Sequence, residues 1–462
     1  MLLPPQACRS RLWIMTGTNM WKDKICKQVS IAPLVTFRIG FGLLMFFSTL
    51  RFWWRGWISA VYLQPKFHFA YMGFEWVKPL GATGMYLLFG IIAASALCIA
   101  MGLFYRAAAV LFFIAFTYVE LIDVTTYLNH YYFISLVAFI LIWVPAGSDY
   151  SLDVLRKPER RRQFVPAWTI GIIRFQLALV YFFAGLAKVN SDWLIDAQPM
   201  RTWLPGKSHL PLIGHLMYKT WMAYLFAWFG AIYDLFIVLF LLQRKTRSWA
   251  YAVVLVFHVA TAIFFPGIGM FPYVMIVSSL IFFSGEFHQR IQSFFPAAAV
   301  FNRIPSQDKG WKRSPLVVAG LTIYILIQLI VPMRFLFYPD HLFWNEEGYR
   351  YSWRVMLMEK SGATFFKVTD RKTGHQQDIN NAAFLTPLQE KMMSTQPDLI
   401  LRYAHYLKQE YTKKGMTDPE ISAEIYVSLN GARSRLFIDS TVNLADQPLS
   451  WKHYQWILPY KQ

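Results

Sequence analysis

Lys188 follows the run Tyr181-Phe-Phe-Ala-Gly-Leu-Ala and precedes Val-Asn-Ser-Asp192-Trp193. Small residues in such a run let helices pack closely. An amine held there loses solvation, which favours the neutral, basic form that proton abstraction needs. A lysine snorkelling from a span end fits the same pattern, and Asp192 and Trp193 fit interfacial anchoring as well. Asn129 and His130 open the run Tyr127-Leu-Asn-His-Tyr-Tyr-Phe-Ile-Ser, where Asn is also a good helix cap. His258 lies midway along an apolar run, a place for a functional imidazole or for a core hydrogen bond. The aromatic stretch with Trp53, Trp54, Trp57, His68, Tyr71, Phe74 and Trp76 can line a site for a flat apolar ring or form an interfacial belt. Trp344, Tyr349, Tyr351 and Trp353 allow the same two readings. The three cysteines, Cys8, Cys26 and Cys98, offer neither a metal-ligand spacing nor a disulfide framework.

These residues are carried by elements that composition places in a bilayer. The 462 residues are 56% hydrophobic and only 15% charged, with a mean hydropathy of +0.34, which excludes an ordinary soluble globular protein. The net charge of +19 falls between apolar stretches and forms no basic face interleaved with aromatics, so no nucleic-acid partner is expected. Apolar runs recur at about 31–50, 86–104, 107–124, 130–146, 168–187, 221–242, 250–265, 269–284 and 315–332. Most approach the roughly 20 residues that cross a bilayer as a helix. Pro266 and Gly267 could instead join two of the runs as a re-entrant pair. Nine spans place Arg156, Lys157 and Arg160 to Arg162 on one side. Arg244, Lys245 and Arg247 fall there too, as do Arg290, Arg303, Lys309, Lys312 and Arg313 and the basic N-terminus with Arg11, Lys22, Lys24 and Lys27. That side reads as cytoplasmic.

The chain thus divides into a cytoplasmic segment over 1–30, with no cleaved signal peptide, a transmembrane bundle over 31–332, and a polar region over 333–462. Strand-like runs at Ala363 to Val368 and Glu424 to Leu429, a turn at Asn430-Gly431 resuming at Arg435 to Ile438, and a helical stretch from Pro387 to Lys413 mark the last region as α+β. The fold class is an all-α polytopic membrane helix bundle of about nine spans followed by a small extracytoplasmic α+β domain. In this topology His68, Asn129, His130, Lys188, Asp192, Trp193 and His341 gather at the extracytoplasmic mouth, as in a membrane enzyme with a pocket reached from that side. A carrier would spread ionisable groups through its spans, and mid-span charges are scarce here.

The segment from Tyr181 to Trp193 resembles the region around the catalytic lysine of the vitamin K-dependent γ-glutamyl carboxylase family, whose bundle is called the HTTM domain. Leu128-Asn-His-Tyr-Tyr-Phe, Gly267-Ile-Gly-Met-Phe-Pro-Tyr-Val-Met, Gly348-Tyr-Arg-Tyr-Ser-Trp353 and Glu424-Ile-Tyr-Val-Ser-Leu-Asn430 follow in the family's order, over about residues 30–445. The resemblance implies that Lys188 deprotonates vitamin K hydroquinone and that Asn129 and His130 share its pocket. It further implies that His258, Asp192, Trp193, Trp344 and Tyr351 contribute to binding the cofactor. Oxidation of the deprotonated quinol by O2 then generates a base strong enough to take the γ-proton of a glutamate in a peptide or protein, and CO2 captures the carbanion. No metal is implied, and the surrounding partner is membrane lipid. The family's interdomain disulfide has no counterpart, since the matching stretches Phe74 to Val77 and Tyr403 to Leu407 hold no cysteine. The sequence ends near the point where the family's animal enzyme continues into a propeptide-binding domain, so recognition of that kind is not expected, and the match near His341 is poor. A quinone-dependent membrane oxidase or modifying enzyme with another acceptor, or a non-enzymatic carrier or assembly factor, are the alternatives. Few cysteines and no cleaved signal lean towards a bacterial inner membrane rather than an endoplasmic reticulum.

Overall fold

The computed structural model describes residues 25–295, 298–308 and 314–460. Cys8, Arg11, Lys22 and Lys24, and the loop cations Lys309, Lys312 and Arg313, lie outside the described residues. The nine apolar runs form α1 (Ala32–Trp54), α2 (Gly81–Met101), α3 (Tyr105–Ile122), α4 (Asn129–Trp143), α5 (Ala167–Ala187), α6 (Thr220–Leu242), α7 (Arg247–Phe264), α8 (Phe271–Ser279) and α10 (Pro315–Met333), and the polar stretch after the eighth run forms α9 (Gly285–Ser293).

Seven helices among the described residues, α1 to α3, α5 to α7 and α10, are long and apolar enough to cross a membrane. The bent pair of α8 and α9 makes an eighth span at most, with a 114° angle at the break. Its sharp bend falls after Phe283, whereas Pro266 and Gly267 only form the turn between α7 and α8. Carbonyls left open at the bend are those of Ile281, Phe282 and Phe283. Arg174 of α5 donates to all three, at 2.8, 3.4 and 3.2 Å, so a cation near the membrane end satisfies backbone that the broken helix cannot. The remaining run, the fourth, forms α4 with 15 residues and extends about 22 Å at 1.5 Å per residue. It nevertheless returns over the depth of α3, because the Tyr105 hydroxyl at the start of α3 donates to the Leu141 carbonyl near the end of α4 at 2.6 Å.

Close approach of α1 and α2 depends on Gly42, where an added Cβ would lie 2.5 Å from the Ala100 nitrogen and 2.6 Å from the Ala96 carbonyl oxygen. At the basic end of the bundle, β1 (Gln28–Ser30) pairs antiparallel with β2 (Phe164–Pro166). The other end carries the C-terminal domain, a four-stranded antiparallel sheet in the order β4-β3-β5-β6. Its strands are β3 (Lys360–Thr369), β4 (Gln376–Asp378), β5 (Glu420–Leu429) and β6 (Arg435–Leu436), with α11 (Pro387–Met393) and α12 (Pro397–Lys413) inserted before β5. Ile421, Ala423, Ile425, Val427 and Leu429 alternate to one face of β5 and are buried there with Phe366, Tyr403 and Leu407. Asn430 and Gly431 both take positive φ, and the Ala432 amide donates to the Leu429 carbonyl at 2.9 Å, the two-residue turn expected from their types.

The domain is tied to the bundle through side chains. Gln389 of α11 donates to the Phe67 carbonyl at 2.7 Å and to Asp123 Oδ2 at 2.9 Å, and Asn430 donates to Asp192 Oδ2 at 2.6 Å. Replacing Gly42 by valine is expected to destabilise the bundle by about 1–3 kcal/mol through overpacking of α1 against α2. Unfolding in mixed micelles measures this, and a variant as stable as the parent would show that the two helices can separate without loss.

Candidate active site

Gly185 decides where Lys188 goes. An added Cβ at Gly185 would lie 2.7 Å from the Leu235 nitrogen, so the glycine lets α5 press against the backbone of α6 two residues before α5 ends. That contact sets Lys188, which caps the C-terminal end of α5, beside Asp234 of α6, with Nζ to Oδ2 at 2.6 Å. Both residues are buried, 6% and 7% exposed. The amine also donates to the Ala184 carbonyl at 3.2 Å. Asn190 then turns the chain. Its amide donates to the Ala187 carbonyl at 2.8 Å, and its oxygen accepts the Trp193 N–H at 3.0 Å, capping the short helix Ser191–Leu194. Trp193 comes back under the amine, with its ring centroid 5.3 Å from Nζ and its indole N–H donating to the Ala227 carbonyl at 2.7 Å.

Lys188, Asp234 and Trp193 line a cavity of about 350 Å³, whose other walls come from α6, α7 and α8 and are mostly apolar, including Phe229, Phe257 and Phe271. Its polar groups are few. The Tyr181 hydroxyl and His258 Nε2 lie 3.0 Å apart, with the hydroxyls of Tyr233 at 3.4 Å and Ser279 at 3.5 Å from that of Tyr181. Nδ1 of His258 has no hydrogen-bond partner among the described residues. Leu225 and Val256 belong to the cavity wall and yet are 53% and 69% exposed, so the cavity opens on the flank of the bundle between α6 and α7. A space of this size, apolar with a few convergent polar groups, suits a flat ring bearing oxygens. No group of three or more potential metal-ligating side chains occurs among the described residues.

Of the residues read from the sequence, Lys188, Trp193 and His258 meet in this cavity. His130 stands behind its wall, its ring centroid 6.1 Å from that of Phe271, which in turn lies 5.6 Å from His258. Asn129 is not on the wall. Its amide donates to the Arg354 carbonyl at 2.8 Å, and its oxygen accepts from the Tyr127 hydroxyl at 3.0 Å, which accepts the Tyr351 amide at 2.8 Å. Asn129 thereby fixes the segment that supplies Val355 and Met356 to the cavity wall.

Three other placements differ from the expectation. Asp192 does not line the cavity but tethers the C-terminal domain through Asn430. Trp344 is buried in that domain, donating to the Leu458 carbonyl at 2.8 Å with its ring edge-on to Phe437. Tyr351 packs among Tyr71, Tyr127 and Tyr132 at a second crevice, of about 130 Å³, that also holds Arg334, Arg350 and Arg402. In the crevice Asp398 is held low by Arg350, at 2.7 Å, against the effect of its burial, and outside it burial lowers the His341 imidazole, which packs against Phe343 and Tyr460.

Asp234 was not among the residues singled out from the sequence, although it is the sole acidic residue of the 23-residue α6 and an intramembrane carboxylate is itself a functional signal. Arg38, Glu120 and Arg174 are other charged residues that lie within spans, away from the first and last residue.

Residues 26–287 match the family described as HTTM domain, and residues 313–462 match the vitamin K-dependent gamma-carboxylase, lumenal domain. No solved structure matches the chain.

Asp234→Leu leaves a buried lysine without its counter-charge and is expected to destabilise by about 3–5 kcal/mol. Adding Lys188→Met should recover most of that loss. Unfolding of both variants in mixed micelles checks it, and equal losses in the single and double variants would mean that the two groups are not energetically paired.

Proposed function

The chain belongs to the HTTM-domain family, with the vitamin K-dependent gamma-carboxylase lumenal domain joined to it, and from that premise we propose that it carboxylates the γ-carbon of glutamate in peptides or proteins using a reduced naphthoquinone. The observation that carries this reading is a lysine paired with a carboxylate at the wall of an apolar cavity that opens towards lipid. When bound, the quinol supplies with O2 the strong base that no side chain provides at neutral pH.

The residues of this chain do the rest. Nζ of Lys188 accepts a hydroxyl proton. Asp234 Oδ2 lies 2.6 Å from Nζ, within reach of a proton passed from the amine without change in the pair's net charge. Asp234 can therefore hold the proton while the amine presents its lone pair. Tyr181 and His258 offer a hydroxyl and an imidazole to an oxygen of the ring, and Trp193, Phe229 and Phe271 offer it flat apolar surface. The same apolar wall excludes water that would quench a strong base.

The cavity wall holds no arginine, so a glutamate carboxylate meets its cation elsewhere, and the crevice beside Tyr351, where Arg350 is held by Asp398 and Arg402 by Glu75, offers Arg334. The C-terminal domain is proposed to be extracytoplasmic, in a bacterial inner membrane. Arg156 to Arg162, Arg244 to Arg247 and Arg290 all lie towards the opposite end of the bundle. The cavity's lysine is already paired with Asp234, which leaves no second cation on its wall for a substrate carboxylate and favours a second reading, a quinol oxidase whose acceptor is not peptidyl glutamate.

The detergent-solubilised protein is expected to form quinone epoxide and to fix label when given reduced vitamin K, O2, labelled bicarbonate and a glutamate-rich peptide. Epoxide without fixed label would select the second reading, and neither product would sink both. Lys188→Ala is expected to lower turnover by about 10²–10⁴-fold, with partial recovery on adding a small amine. Unchanged turnover at neutral and alkaline pH would remove Lys188 as the base.

A further inference from the structure

A groove of about 680 Å³ lies at the end of the bundle opposite Lys188, between the start of α3 and the loop that runs from Pro145 to Arg162 into α5. Five cations line it: Arg106, Arg156, Lys157, Arg160 and Arg162. Two acids, Asp153 and Glu159, also line it, which leaves an excess of three positive charges, five less two. Asp153 is already committed, since its two oxygens accept the backbone N–H groups of Phe104 and Tyr105 at 2.9 and 2.8 Å and close the start of α3. Arg106 is anchored by a hydrogen bond to the Ile142 carbonyl at the end of α4. The Arg156 guanidinium lies 4.3 Å from the centroid of the exposed Phe104 ring and 3.6 Å from Asp153 Oδ1, with half of its side chain exposed. These contacts hold two guanidinium groups at fixed places at the mouth of a concave site, as recognition of a phosphate requires.

The groove does not end in solvent on its membrane side. Ala107, Leu111 and Ile114 continue from it along one exposed face of α3, at i, i+4 and i+7, and Phe139 and Trp143 are exposed on the neighbouring α4. A small inorganic anion would use only the cationic half of this surface. A molecule with an anionic head and two apolar chains uses both. We propose that this groove is a binding site for an anionic glycerophospholipid, its phosphate among Arg106, Arg156 and Arg160 and its acyl chains along α3 and α4. The site is separate from the Lys188 cavity, and its occupancy does not depend on the reaction assigned there.

Native mass spectrometry of the full chain from an uncharged detergent tests this, with phosphatidylglycerol, phosphatidylcholine and inorganic phosphate as probes. Phosphatidylglycerol is expected to remain as an adduct where phosphatidylcholine is lost. Lys157→Gln with Arg160→Gln, two exposed loop positions, should weaken that adduct on the order of tenfold, and Arg106→Gln should weaken it further. The double variant decides the matter if Arg106→Gln fails to fold. Equal retention of the two lipids, or undiminished phosphatidylglycerol in the double variant, would overturn the proposal. Displacement of phosphatidylglycerol by millimolar inorganic phosphate would overturn it too, by making the groove a small-anion site.

Discussion

An amine and a carboxylate inside an apolar bundle persist only as a pair, because each alone would be far better solvated in water. The contact between Lys188 and Asp234 therefore constrains much around it. It requires α5 and α6 to touch, which the missing side chain of Gly185 allows. It requires the end of α5 to be closed by something other than water, which Asn190 and Trp193 provide. The cavity lies beside this contact, and its apolar wall is what makes the pair matter chemically.

The same rule, that backbone and charge must find partners where water is absent, explains the irregular parts of the bundle. Arg174 is spent on three carbonyls at the bend after α8, and Arg38 donates to the carbonyl of Tyr150 in the basic loop. These arginines sit in spans but serve structure. Asp123, at the end of α3, is likewise satisfied by Thr125 and by Gln389 of the C-terminal domain, so bundle and domain share one polar seam.

Apolar runs and turn residues made the architecture legible from sequence, since length and period report directly on helices and the turn at Asn430-Gly431. The short α4 and the break after α8 were not legible, because hydropathy does not record where a helix bends. The site was legible in part. Position near a span end gives a residue's height in the bundle but not its azimuth. Lys188, Trp193 and His258 turn towards one cavity, whereas Asp192 and Trp344 turn into contacts of the C-terminal domain and Tyr351 packs on the tyrosines at the second crevice. Asp234 carried a signal, one acid in an otherwise apolar helix, that attention to span ends passed over.

The opening beside Leu225 and Val256 changes what concentration means for this protein. A ligand that arrives sideways through lipid is counted per lipid molecule rather than per litre, so the occupancy of the cavity follows its mole fraction in the bilayer or micelle. Adding detergent at constant ligand then acts as a competitor without touching the protein. Apparent affinities measured at different detergent loads become comparable only after division by the amount of amphiphile present.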